Sequence, residues 1–342
     1  MIMRHGGDFS GLSGITDLSV NLNPMGMPDS LRDKAIKSIY DCEKYPDPYC
    51  RRFAAAVAQS TGVTDEQVVC GNGAADLIYR TVNALKPKKA SVITPTFTEY
   101  EKALEEAGCE VKCIRLSEEK DFELDEETAL RACEDTDMVF ICSPNNPTGR
   151  AVKQGILRAM AEKCKENDIW FVCDESFIWF AELFSKKTII KDLNEKCMVI
   201  RSLTKMYAMP GIRVGYMVCG SAEAAYRIRM CGQCWSVSVT AQVVGAEAAR
   251  MSGYDGVTSA FVAGERAFLQ RELERIGIKY YPSDVNFVLF RLSEGYVEKL
   301  FRFKVLIREC SDFDGLDGSY YRAAVRTREE NERLIYALER TM

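Results

Sequence analysis

The sequence predicts an α/β chain: a mostly parallel seven-stranded sheet flanked by helices, with a smaller α+β domain beside it. Two observations predict this. From about residue 67 to 220, short continuously apolar runs alternate with helical patterns, as in parallel strands buried on both faces beneath crossover helices. After about residue 235 the alternation stops, and helix-forming stretches separate only two further β-rich runs.

The strands are read in order as Gln67–Cys70, Ala90–Thr94, Glu110–Arg115, Met138–Cys142, Trp170–Cys173, Met198–Arg201 and Val214–Cys219. The last follows its predecessor after a short loop, which allows an antiparallel pairing. Beyond them come a long helix starting at Ala241 and running past Met251, the run Asn286–Arg291, another helix and the run Tyr320–Val325. The expected division is a large domain over residues 40–235 and a small one built from 1–39 and 236–342. No repeat or low-complexity tract interrupts it.

The composition is that of a globular protein, with 342 residues and 47% hydrophobic content. Forty-five Lys and Arg against 50 Asp and Glu give a net charge of −5 without a basic stripe, so nucleic acid is not an expected partner. Any anionic ligand has to be met locally. The 14 cysteines are scattered through apolar segments, which together with the absence of a signal-peptide pattern points to a reducing cytoplasm. Cys231-Gly-Gln-Cys234 lacks a second pair or nearby histidines, so no metal site is expected. No apolar run approaches the length of a membrane span.

Open α/β sheets bind ligands beyond the carboxyl ends of their strands, so the residues just after each strand matter most. Gly71-Asn-Gly-Ala-Ala-Asp76 opens the helix Leu77–Leu85 with free N–H groups suited to an anion, although a tight turn also accounts for it. Pro95-Thr-Phe-Thr-Glu-Tyr100 offers two rings, for stacking on a flat heterocycle or for core packing. Ser143-Pro-Asn-Asn-Pro-Thr-Gly149 places two amides in a proline-stiffened turn. Asp174 ends a strand, as a partner for a protonated ring nitrogen or as a helix cap.

The deciding stretch is Arg201-Ser-Leu-Thr-Lys-Met-Tyr-Ala-Met-Pro-Gly-Ile-Arg-Val-Gly-Tyr216. It supplies an amine, Lys205, able to condense with an aldehyde, and a cation, Arg213, for a phosphate; together these are what pyridoxal 5′-phosphate (PLP) requires.

With Asn-Pro-Thr-Gly at 146–149, Asp174 and Ser-Leu-Thr-Lys at 202–205 in this order, the chain resembles the fold-type I PLP enzymes of the aminotransferase superfamily end to end. The resemblance implies the PLP-transferase fold. It also implies that Lys205 carries the cofactor and shuttles the proton, Asp174 pairs with the ring nitrogen, and Asn146 donates to the ring hydroxyl. Gly73, Ala74, Ser202 and Arg213 are implied to hold the phosphate and Phe97 to stack on the ring. Tyr45, in Tyr-Pro-Asp-Pro, would reach the cofactor phosphate of a partner subunit in a homodimer.

Within the superfamily the chain is most similar to the threonine-phosphate decarboxylases of cobalamin biosynthesis, through His5-Gly-Gly7, Asp17–Pro24, Asp174–Ile178 and Leu306–Gly318. The alternative is an aminotransferase acting on histidinol phosphate with 2-oxoglutarate. Such enzymes usually read Glu-Asn-Pro where this chain has Leu22-Asn23-Pro24, and tyrosine where it has Phe177, which lacks the hydroxyl. The implied substrate ligands are His5, Asn23, Arg322 and Arg326. Arg322 aligns with the superfamily's carboxylate-binding arginine, and Arg326 is placed on the same face by an even spacing along one strand. Too little chain precedes the cofactor domain for the DNA-binding helices of a PLP-dependent regulator. Glu175 is given no chemical role; its position beside Asp174 suits a contact at the domain interface.

Overall fold

The computed structural model describes Gly7 and residues 14–342. Its strands are β1 (Thr16–Asp17), β2 (Val68–Gly71), β3 (Lys89–Thr94), β4 (Glu110–Arg115), β5 (Met138–Cys142), β6 (Trp170–Asp174), β7 (Cys197–Ser202), β8 (Gly215–Cys219), β9 (Phe287–Arg291), β10 (Val305–Leu306), β11 (Arg308–Glu309) and β12 (Tyr320–Ala324). Seven of them form one sheet in the order β2-β8-β7-β6-β5-β3-β4. Only β8 runs antiparallel, to both β2 and β7, as the short connection before it allows.

Alternation along each strand divides the core into two layers. Val139, Ile141, Phe171, Cys173, Val199 and Val218 face one layer of helices, while Met138, Phe140, Cys142, Val172, Met198, Ile200 and Met217 face the other. The strands read as continuously apolar because both faces are covered. At the edge, β4 exposes Glu110, Cys113 and Arg115 to solvent, and charged residues there discourage pairing with another chain.

The remainder forms an antiparallel sheet, β11-β12-β9. Beside it, β1 pairs in parallel with β10, and the Ala324 N–H donates to the Leu18 carbonyl at 2.7 Å. The long helix expected from Ala241 onward is two helices, Val239–Arg250 and Tyr254–Arg275. Met251 is extended and Gly253 takes φ +85°, a left-handed conformation that ends one helix and opens the next. Among the described residues no helix is long and apolar enough to cross a membrane, and no group of His, Cys, Asp or Glu side chains is disposed to hold a metal ion.

Candidate active site

Parallel strands send their following loops to one edge of the sheet, and that edge carries a cavity of about 350 Å³. Because β8 alone is reversed, the turn before it also reaches this edge, bringing Arg213 to the cavity beside residues that follow β2, β5, β6 and β7.

One part of the cavity is built for an anion. Gly73, at φ +89°, caps the helix Ala74–Leu85, which presents the N–H groups of its first turn and the positive end of its dipole. A Cβ on Gly73 would lie 2.6 Å from Arg213 Nη2, so only glycine lets the guanidinium approach this closely. Arg213 donates to the Pro210 carbonyl at 3.1 Å and forms no ion pair with a described residue. The Ser202 and Thr204 hydroxyls are linked at 2.7 Å, and both line the same space.

Asp174 ends β6 with 3% exposure. Its Oδ2 accepts from the Tyr100 hydroxyl at 2.7 Å and its Oδ1 from the Ser176 N–H at 2.8 Å. Burial raises its pKa, and among the described residues no cation forms an ion pair with it. Tyr100 stacks on Phe140, with centroids 5.2 Å apart. Phe97 therefore supplies a ring to the cavity while Tyr100 holds the carboxylate. Phe177 lines the wall and packs edge-on against Phe287 at 5.0 Å.

Lys205 sits in the helical turn Leu203–Met206 directly after β7. Burial, then the charges of Arg322 and Arg213, lower its pKa to about 8. A larger fraction of the amine is thus neutral, and nucleophilic, near physiological pH.

Arg322 enters from β12. It donates from Nη1 to Asn146 Oδ1 and from Nη2 to the Ser19 carbonyl, the latter at 2.9 Å. Its buried Nε has no partner, and burial lowers its pKa to about 10. With Oδ1 engaged, the Asn146 amide keeps its NH₂ group for a ligand.

The cavity thus brings together Ala74, Phe97, Asn146, Asp174, Ser202, Lys205, Arg213 and Arg322, with Gly73 capping the helix beside it. Four other expectations fare differently. Asn23 points away: its Nδ2 donates to the Met206 carbonyl, the Tyr254 hydroxyl and the Thr258 hydroxyl, and its Oδ1 accepts from the Met25 N–H. It braces the Lys205 turn rather than lining the cavity. Arg326 is also absent from the lining, because β12 ends at Ala324 and the even spacing does not extend that far. Arg326 instead pairs with Glu330 at 3.2 Å, beside the Thr327 capping box of the last helix. Tyr45 is 82% exposed and lies outside the cavity, 4.8 Å from the Trp235 ring. His5 lies outside the described residues.

Beside Arg213 and Arg322, a third arginine lines the cavity: Arg308 on β11, the cross-strand partner of Arg322. The motifs do not assign it, since the pairing of β11 with β12 has no local signal. Nor do they assign Ser176 and Thr204, which lie two residues from Asp174 and Ser202 inside the recognised motifs, or the hydrogen bond of Tyr100 to Asp174. Glu175 is not at a domain interface. It is fully buried within the large sheet, ion-paired to Arg201 at 2.7 Å and accepting from the Thr188 hydroxyl and the Ile189 N–H, both at 2.8 Å.

PLP fits this arrangement. Asp174 is a buried carboxylate without an ion-pair partner among the described residues, the Ser176 hydroxyl and Arg322 Nε are buried at the cavity with no hydrogen-bond partner, and the Gly73–Arg213 corner is an anion cradle.

A match to the aminotransferase class I and II family spans residues 13–338. The chain belongs to this family. It is therefore a PLP-dependent enzyme. Among its class I and II relatives is the threonine-phosphate decarboxylase of Salmonella typhimurium, 34% identical over 96% of this chain and 91% of the relative. Histidinol-phosphate aminotransferase 2 of Archaeoglobus fulgidus is 32% identical over 95% and 92%. The structure of the histidinol-phosphate aminotransferase from Clostridium acetobutylicum superposes with a TM-score of 0.87 at 28% identity, covering 94% of this chain and 97% of that one.

Proposed function

We propose that this enzyme decarboxylates L-threonine O-3-phosphate to carbon dioxide and (R)-1-amino-2-propanol phosphate, a step of cobalamin biosynthesis. The observation that carries the reading is the charge of the cavity. Lys205, Arg213, Arg308 and Arg322 line it, and Asp174 is the one carboxylate among its described lining residues; Asp312 pairs with Arg308 from outside the lining. With Arg213 assigned to the cofactor phosphate, the concentration of positive charge where β11 meets β12 suits a substrate bearing both a carboxylate and a phosphate. The 34% identity to a threonine-phosphate decarboxylase over nearly the whole chain supports the same choice.

Bound PLP supplies an electron sink conjugated with the substrate's α-carbon. Gly73, Ala74, Ser202 and Arg213 hold its phosphate, with Thr204 fixing the Ser202 hydroxyl. Asp174, fixed by Tyr100 and Ser176, favours the protonated ring nitrogen. The Asn146 NH₂ would be the donor to the cofactor's ring hydroxyl, Phe97 the aromatic contact for its ring, and Lys205 the residue that holds it between turnovers. Arg322 and Arg308 would bind the substrate's anions and orient its carboxylate for loss as carbon dioxide, and Lys205 would supply the proton that replaces it at the α-carbon.

We also assign residues 1–39 and 236–342 to the small domain and propose a homodimer. In support, Tyr40 and Tyr45 are more than four-fifths exposed in the single chain, beside Ile39 at 61%. An apolar surface of this kind suits a partner, and Tyr45 is assigned to the partner subunit's cofactor phosphate.

The test compares turnover of L-threonine O-3-phosphate alone with that of histidinol phosphate plus 2-oxoglutarate. A kcat/KM at least about 100-fold higher for the first is expected from a site built to hold two anions; the reverse order would establish an aminotransferase.

A further inference from the structure

We propose that Asp314 is a positioning residue: anchored on the large sheet, it holds the turn after β11, and with it Arg308 and Phe313, against the substrate end of the cavity. The inference rests on the reading of that end as substrate-binding.

Three consecutive residues of the turn act in different directions. Asp312 pairs with the Arg308 guanidinium. Phe313, 4% exposed, lines the cavity, and the Arg308 guanidinium carbon lies 5.7 Å from its ring centroid. Asp314 reaches outward to the large sheet. Its Oδ2 accepts from the Thr94 hydroxyl at 2.9 Å and from Arg115 Nε at 3.1 Å, and its Oδ1 from Arg115 Nη2 at 2.7 Å.

The anchor points are well placed. Thr94 and Arg115 are register partners at the carboxyl ends of β3 and β4, and Thr94 leads directly into the loop that carries Phe97 to the same cavity. One carboxylate therefore ties the segment bearing Arg308 and Phe313 to the segment bearing Phe97. Within the turn, Phe313 N–H donates to the Cys310 carbonyl at 3.1 Å and Leu316 N–H to the Phe313 carbonyl at 3.0 Å, while Cys310 and Phe313 pack in an apolar cluster with Phe122, Tyr281, Leu289 and Tyr320; Asp314 adds the polar tie to the large sheet. Gly315, at φ +87°, lets the chain bend away immediately after the anchor. The ion pairs of Glu118 with Lys279 and Arg291 also join these two parts, but none of the three residues lines the cavity.

Arg115 is 69% exposed and Asp314 22%, so solvent screens the ion pair. Together with the Thr94 hydrogen bond its loss amounts to about a tenfold effect. The experiment uses the PLP-loaded protein as wild type, Asp314→Ala, Asp314→Asn, Arg115→Ala and the Asp314→Ala/Arg115→Ala double variant. In Asp314→Ala, amide hydrogen exchange over residues 310–318 should rise by about tenfold while β12 keeps its protection. KM for L-threonine O-3-phosphate should rise by a similar factor with kcat changed by less than about twofold. The double variant should be no worse than Asp314→Ala, and Asp314→Asn, which still accepts from Thr94, should recover part of the loss. Unchanged exchange in the turn, or a lowered melting temperature with KM unmoved, would overturn the proposal. A wild type inactive on threonine phosphate would instead overturn the substrate assignment, and the exchange comparison would still decide the anchoring.

Discussion

Lys205 and Asp174 carry opposite anomalies with one cause. Burial disfavours charge in both, lowering the pKa of the amine and raising that of the carboxyl. For Lys205 the consequence is kinetic, because only the neutral amine attacks the cofactor's aldehyde. The rate of PLP incorporation into apoenzyme should climb about tenfold per pH unit up to about 8 and then level off, as followed by stopped-flow absorbance. A plateau above pH 10 would contradict the assignment. There is also a consequence for stability. The folded amine titrates near 8 and the unfolded one near 10.5, so between these values the unfolded chain binds more protons and apoenzyme stability rises with pH. Lys205→Met should abolish turnover while raising apoenzyme stability at pH 7 by about 3 kcal/mol, measurable by urea denaturation. Tyr100→Phe removes one of the two hydrogen bonds that Tyr100 and Ser176 donate to Asp174. It should lower kcat by about tenfold, the worth of a hydrogen bond to a charged acceptor.

At the scale of elements, the site depends on how strands pair. The sequence motifs pointed to most of the cavity-lining residues that follow a strand of the large sheet, because each lies within a few residues of a recognisable apolar run. The arginines proposed for the substrate were half legible. Arg322 lies in such a run, whereas Arg308 becomes its neighbour only through the ladder between β11 and β12. Arg326 was misplaced because a two-residue period was carried past the end of β12 into a helix cap. The two arginines therefore separate cleanly by experiment. Arg308→Ala should raise KM for the phosphorylated substrate by about tenfold or more. Arg326→Ala should leave kcat/KM within about twofold and cost about 0.5 kcal/mol, the worth of a partly exposed ion pair. The Glu175–Arg201 pair joins the end of β6 to β7 with both side chains buried. Glu175→Ala leaves a buried guanidinium uncompensated and should cost about 3–5 kcal/mol, read from the shift in denaturation midpoint.

Across the whole molecule, the class of the fold was legible because parallel strands covered on both faces must be apolar throughout, and seven such runs occur in sequence. The split of one expected helix at Gly253 was not, since helical periodicity continues on both sides of the break. The reaction is the least legible level. In the proposed reading Arg213, Asp174 and Lys205 serve PLP chemistry in general, and the bond that breaks is set by how Arg308, Arg322 and the Asp314-anchored turn orient the substrate.

The proposed orientation presents the carboxylate, a claim checked by incubating PLP-loaded enzyme with L-threonine O-3-phosphate labelled at its carboxyl carbon, with no 2-oxo acid present, and counting labelled carbon dioxide released per active site. Many equivalents, matched one to one by aminopropanol phosphate, are predicted. Retention of the label in a 2-oxo acid, at no more than one equivalent per site, would contradict the claim and mark the enzyme as an aminotransferase.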